Sequence, residues 1–452
     1  MRRNNSKNTV SSSLAAPLIT QPPARTRSSA FRIFCGTILL STLTTLSPAA
    51  EWLLSGELGA HDPSIIKEEG TYPNGNWWWS PATGLGLSMK FSLDGIKWRQ
   101  GIAFFTADNE PTWWMEYAPA MRKLNVWAPD IRKFGDRFWC FYSISEFGKN
   151  NSAIGLTSST GIFRGDWRDD GVIISSKQAS EAFNAVDPSL TIDADGKPWL
   201  AFGSYFDGIH IVQLDPQTMK PLTEAPYPTI ARRQKELGLE GANIVFLNGY
   251  YYLFTAIDIC CNGKVSTAKI ACGRSKTITG PYEGKKADIT NAVSGMLTSS
   301  LTVFEKGDER WAGMGGPYVY PDGDGWIIVR HGYDKNTGGA PKMRINDLYW
   351  DAEGWPTYAA PTLPDQTVEA GKSITFKAPS SITYQWQVST NDGTTWTNIG
   401  KDAPYSGSTT STLIVNASSS INGYKFRVVT GNGSTPSNPF TLTVTSAAAP
   451  AP

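Results

Sequence analysis

Apolar residues along this chain fall into short runs of period two, and the three-and-four spacing of an amphipathic helix is nearly absent. The strongest runs are Phe138-Trp139-Cys140-Phe141-Tyr142, Trp199-Leu200-Ala201-Phe202, Tyr250-Tyr251-Tyr252-Leu253-Phe254 and Trp326-Ile327-Ile328-Val329. Each follows a turn pair (Gly135-Asp136, Asp195-Gly196, Asn248-Gly249, Asp324-Gly325), and each turn follows a shorter apolar run. That order predicts a β-hairpin. A fifth unit leads from His61-Asp62-Pro63-Ser64-Ile65 into Trp77-Trp78-Trp79. Five units spaced roughly 50 to 75 residues apart suit the blades of a propeller. The pattern therefore predicts an all-β chain with a five-bladed β-propeller over residues 51–360. The best helical candidate is short, Arg232 to Leu239.

Four units carry an acid near the head: Asp62, Asp130, Asp187 and Glu240. The first strand of each blade lines a propeller's central channel. Residues at equivalent places then converge on one axis, and the four acids are expected to be such residues. Like charges are costly to gather in a desolvated centre, so their convergence signals function.

The pattern changes after Pro361. Residues 361–446 are rich in Thr and Ser, and Tyr384-Gln385-Trp386-Gln387-Val388 and Tyr424-Lys425-Phe426-Arg427-Val428 alternate strictly. This predicts an immunoglobulin-like β-sandwich with Trp386 at its core, lacking the usual inter-sheet disulfide. A passive spacer and a glycan- or wall-binding module are both open readings of it. Residues 447–452 are rich in Ala and Pro and are expected to be disordered. At the other end, Arg2, Arg3, Lys7, Arg25, Arg27 and Arg32 precede any acid, and Ile33 to Leu46 is an apolar run followed by Ser47-Pro48-Ala49-Ala50. Residues 1–50 read as a signal peptide cleaved near Ala49 or Ala50, with an uncleaved anchor as the alternative. The mature chain is expected to be secreted or periplasmic, monomeric and without a membrane span.

Composition adds three things. A formal net charge of +1 gives no case for a nucleic-acid or anionic-membrane partner. Seventeen tryptophans suit packing between blades and equally suit sugar faces. Beyond the signal segment the cysteines are Cys140, Cys260, Cys261 and Cys272. Their spacing offers no zinc site and fixes no pairing, and Cys140 reads as an isolated buried thiol.

Carboxylates on different blades suit glycoside hydrolysis. One carboxyl group protonates the leaving oxygen while another, on the opposite face, activates water; a third can raise and orient the acid. Seven stretches make this specific: His-Asp-Pro-Ser at 61–64, Trp-Ala-Pro-Asp-Ile at 127–131, Asn-Ala-Val-Asp-Pro-Ser at 184–189, Phe-Gly-Ser-Tyr-Phe-Asp-Gly-Ile at 202–209, Ala-Arg-Arg at 231–233, Asp-Ile-Cys-Cys-Asn-Gly at 258–263 and Gly-Arg-Ser-Lys-Thr-Ile-Thr-Gly-Pro-Tyr at 273–282. In this order they resemble the arabinanases of glycoside hydrolase family 43, which are five-bladed propellers. The resemblance implies an inverting hydrolase of α-1,5-linked L-arabinofuranose chains in arabinan, endo-acting, with Asp62 as general base, Asp187 as the residue that tunes the acid and Glu240 as general acid. It implies that Trp127, Gly148, Asn184, Ser204 and Tyr205 line sugar subsites, although each is equally a blade-packing type. It also implies that His331 helps to hold a cation, a calcium ion bound largely through water, and that Asp130 is structural. This sequence departs from the family pattern at Glu240-Gly241-Ala242, at Gly316-Pro317-Tyr318 and at residues 70–79, all of which bear on the shape of the groove. An exo-acting arabinofuranosidase or xylosidase of the same fold, and a catalytically silent carbohydrate-binding propeller, are the rival readings.

Overall fold

The computed structural model describes residues 51–446 apart from 72–74, 324, 360–361, 379–383 and 431–434. The expected signal peptide, the C-terminal tail and Asp324 of the last turn lie outside the described residues. Five sheets follow one another along the chain, each a meander running outward from an inner strand. The inner strands are Ile66–Thr71, Asn125–Phe134, Ser189–Ile192, Leu239–Leu247 and Trp311–Asp322, which begin blades 1 to 5 in that order. The predicted hairpins are present. Leu247 pairs with Tyr250 across Asn248 and Gly249, at φ +50° and +75°. Two central residues with positive φ are what a tight hairpin in a right-twisted sheet requires.

Alternation in these strands serves two cores. In the second strand of blade 2, Phe138, Cys140, Tyr142 and Ile144 point into the cluster shared with blade 1, while Trp139 and Phe141 point into the cluster shared with blade 3. Every neighbouring pair of blades encloses such a cluster. Strands covered on both faces explain why the apolar runs are almost continuous. Cys140 and Cys272 are free and buried, whereas Cys260 and Cys261 form a disulfide.

The ring is closed by the N-terminal segment. Residues 51–60 run antiparallel to the third strand of blade 5, Ala340–Trp350, through bridges Glu51–Asn346 and Gly59–Lys342 and a Trp52 N–H bond to the Ile345 carbonyl. Trp52 is buried between blades 5 and 1 and donates Nε1 to Asp347 at 2.9 Å.

Arg232 to Leu239 is not a helix. Thr229–Arg233 is a strand of blade 3, and a single 3-10 turn, Lys235–Leu237, leads into blade 4. The Arg233 guanidinium donates to the carbonyls of Leu237 and Gly238, which fixes a turn where local propensity favours a helix. The only α-helix among the described residues is one turn, Trp114–Tyr117, and no helix there is long and apolar enough to cross a membrane.

Residues 366–445 form two sheets around a separate core. Trp386 is fully buried there, with Phe376, Phe426 and Phe440 packed around it.

Candidate active site

Each blade enters the ring centre with the same local kink. Asp62, Ala128, Asp187, Gly241 and Gly316 all have positive φ (+47°, +38°, +56°, +63° and +57°). In blades 2, 4 and 5 the ladder skips here, between Trp127 and Asp130, Glu240 and Asn243, and Gly315 and Tyr318. Such bulges re-aim side chains next to functional sites. Proline follows the kink in four blades (Pro63, Pro129, Pro188, Pro317), where the interrupted ladder has no need of an N–H. Non-glycine residues in this conformation cost about 1–3 kcal/mol each, so Asp62 and Asp187 hold their places against strain.

The kink corrects the expected register. Asp62 and Asp187 are equivalent, but Glu240 stands one position before the kink and Asp130 two after it. Glu240 has one methylene more with which to reach the centre. Asp130 belongs instead to a belt deeper in the ring. Its Oδ2 accepts the Leu190 N–H at 2.9 Å and its other oxygen is 3.6 Å from Arg132. In the same belt Asn243 donates to Ser189 and accepts the Val319 N–H. Asp130 is thus a joint between blades, as the resemblance implied.

At the mouth of the ring lies a cavity of about 1000 Å³ lined from all five blades. Asp62, Asp187 and Glu240 all face it, as do Trp127, Gly148, Asn184, Ser204 and Tyr205. His331 does not; it lies behind the wall, 1% exposed, stacked on His61 with ring centres 3.9 Å apart.

The carboxyl groups meet different surroundings. Asp62 Oδ2 is 2.6 Å from His61 Nδ1 and 3.2 Å from Thr83 Oγ1. Thr83 accepts the Ala128 N–H, so its proton is directed at Asp62. His331 Nδ1 stands 3.3 Å from Asp62 Oδ1. Burial alone would raise the Asp62 pKa, but the charge of His61 and the bonds from both histidines hold it well below the usual carboxylate range. Glu240 is pushed up to about 7, first by burial and then by the charge of Asp62; the Ser204 hydroxyl, donating to Glu240 Oε2 at 3.0 Å, works against the rise. Asp187 is raised as well, by burial and then by the charges of Glu240 and Asp62. Its Oδ2 accepts the Gly241 N–H at 3.1 Å, beside Glu240, and its own N–H donates to Ser143 Oγ. One ionised and one protonated carboxyl group facing one cavity is the pairing that glycoside hydrolysis needs.

Over residues 56–356, well over half of the chain, the sequence matches the model for glycosyl hydrolases family 43. The chain belongs to this family. It is 44% identical over 324 residues to the extracellular endo-alpha-(1->5)-L-arabinanase 1 of Bacillus subtilis, covering 71% of this chain and 94% of that one. An extracellular exo-alpha-(1->5)-L-arabinofuranosidase of Cellvibrio japonicus is 32% identical over 315 residues, covering 66% and 86%. Among solved structures, the GH43 endo-arabinanase from Bacillus licheniformis matches with a TM-score of 0.60 and 44% identity, over 68% of this chain and 100% of that one. Residues 361–446 match a domain of unknown function, DUF8696.

Within this family 43 propeller the remaining site residues divide. Ser204 bonds to Glu240, and Tyr205 donates its hydroxyl to the Asp258 carbonyl while its side chain lines the cavity. Asn184 Oδ1 accepts from Ser152 at 2.7 Å. Trp127 lines the wall with Phe147 edge-on to it, and Phe147 is 81% exposed at the rim, an apolar face for a sugar ring. Phe147, Thr83, Ser143 and Tyr333 are not among the expected site residues; none stands at a strand head, and only the ring brings them to the carboxylates.

His331 fits a cation ligand. Burial and the neighbouring His61 charge lower its pKa to about 4, so it is neutral, as a metal ligand must be. With the ring proton on Nδ1, directed at Asp62 Oδ1 3.3 Å away, Nε2 keeps its lone pair, and it is buried without a hydrogen-bond partner. A Cβ on Gly315 would stand 2.9 Å from Nε2, and one on Gly316 2.6 Å from Asp62 Oδ1, so the two glycines keep space open at both atoms.

Proposed function

We propose that this protein is a secreted, inverting endo-arabinanase that hydrolyses α-1,5-linked L-arabinofuranose chains in arabinan. The observation that carries this reading is the convergence of Asp62, Asp187 and Glu240 from three blades on one cavity, with Asp62 held ionised and Glu240 held protonated to about neutral pH. Asp62 is the general base. His61 and Thr83 occupy one of its oxygens, and the other takes a proton from the attacking water. Glu240 is the general acid. Ser204 occupies Oε2, so the proton leaves from the other oxygen to the departing sugar. Asp187, fixed by the Gly241 N–H, orients Glu240, while burial and the charge of Asp62 keep the proton on Glu240. A cavity of about 1000 Å³ stands at the upper end of the roughly 300–1,000 Å³ of small-ligand sites, which suits several furanose rings.

The relatives named as extracellular support secretion, in agreement with the basic and then apolar N-terminal segment. His331 Nε2 would hold a calcium ion whose other ligands are water, and such an ion would add positive charge near the carboxylates. Glu240→Gln keeps the size and the Ser204 contact but has no proton to deliver. Cleavage of linear arabinan by this variant is expected to fall about 10²–10⁴-fold with folding intact. A variant as active as the parent would remove Glu240 from the acid role.

A further inference from the structure

Asp62 is tied through three hydrogen bonds to a loop on another blade. The loop from Asp258 to Ser266 follows the second strand of blade 4 and brings the Cys260–Cys261 disulfide to the cavity wall. It is anchored at its start, where Asp258 is paired with both Arg233 and Lys269. A disulfide between adjacent residues closes a small ring that includes the peptide bond between them, so residues 260 and 261 have little freedom left. Cys261, at φ +65°, points its N–H at Tyr333 Oη, 2.8 Å away. Tyr333 Oη is 2.7 Å from His61 Nε2, and His61 Nδ1 is 2.6 Å from Asp62 Oδ2.

A backbone N–H can only donate, so Tyr333 Oη accepts from Cys261 and has a further hydrogen bond to give His61 Nε2: it donates to a neutral ring and accepts from a charged one. In both forms Nδ1 carries the proton that meets the carboxylate. We propose that Tyr333 is a positioning residue for the general base, and that the disulfide-closed loop is the fixed point from which it holds His61 and Asp62. This rests on reading Asp62 as the base. Placement matters because a base works only within hydrogen-bond reach of the proton it takes, about 2.6–3.2 Å.

The test is Tyr333→Phe, assayed on linear α-1,5-arabinan. Phenylalanine keeps the ring that packs edge-on to His331 and loses only the hydroxyl. The expected result is a kcat about 10- to 100-fold lower, with KM within about twofold and an unchanged thermal midpoint. Cys260→Ser/Cys261→Ser frees the loop but leaves the residue 261 amide in place. Its kcat is expected to fall in the same direction, and adding Tyr333→Phe to it should cost little more, because both act through one connection. A parental kcat for Tyr333→Phe, a rise in KM alone, or losses that multiply would each overturn the proposal. Asp62→Asn is assayed beside them. If Asp62→Asn is inactive while Tyr333→Phe is fully active, only the role of Tyr333 falls; if Asp62→Asn is itself fully active, the reading of Asp62 as base falls with it.

Discussion

Asp62, Glu240 and Asp130 are all acids of the ring centre, and their neighbours give them different work. Two histidines hold Asp62 ionised, while burial and the charge of Asp62 hold a proton on Glu240 up to about 7. On the proposed roles, activity needs the protonated form of Glu240, so kcat/KM should fall as pH rises through about 7. It also needs ionised Asp62, whose pKa is depressed, so the acid limb should lie below the value near 3.9 of an ordinary aspartate. Ser204 favours ionised Glu240 by donating to it. In Ser204→Ala the alkaline limb should therefore move upward in a pH–rate profile; a downward move would contradict the assignment. Asp130→Ala leaves Arg132 and the Leu190 N–H buried without their acceptor. Urea unfolding should show a loss of about 3–5 kcal/mol, with the kcat of the folded protein unchanged. The acids at the strand heads are legible in the sequence; the structural standing of Asp130 is implied only by the family resemblance. Their register is not: a bulge inserts a residue without disturbing the alternation of residue types, so Asp62, Asp130, Asp187 and Glu240 look equivalent until the left-handed residues align the blades.

Among the elements, local chemistry is legible and distant pairing is not. Asn248-Gly249 announces its hairpin because two positive φ angles select those residues. Arg232 to Leu239 has helical composition, but strand partners at Thr298 and Met296 and the carbonyl bonds of Arg233 decide otherwise. Residues 51–60 give no sign that they form a strand shared between Lys97–Gln100 of blade 1 and Ala340–Trp350 of blade 5, since the blade 5 partners lie nearly 300 positions away. This strand closes the ring, and Trp52 is its anchor, 2% exposed. Trp52→Ala should cost about 3–5 kcal/mol in denaturant unfolding. A midpoint equal to the parent's would mean that blades 5 and 1 hold together without it.

At the level of the whole molecule, five inter-blade cores build a rigid ring around the cavity, and every residue lining that cavity comes from the propeller. His331 sits behind its wall with Nε2 free of hydrogen bonds. Removal of divalent cations by a chelator should lower the rate and added calcium should restore it, whereas His331→Gln should be slow and indifferent to both; a parent enzyme that ignores the chelator would rule out a role for the ion. The central claim is that the ring positions these carboxylates to cut arabinan within the chain. The most direct measurement is the size of the first products that the mature protein releases from linear, debranched α-1,5-arabinan. The structure and its endo-acting relatives predict oligosaccharides of mixed length before arabinose accumulates. Arabinose alone from the first time point would contradict it.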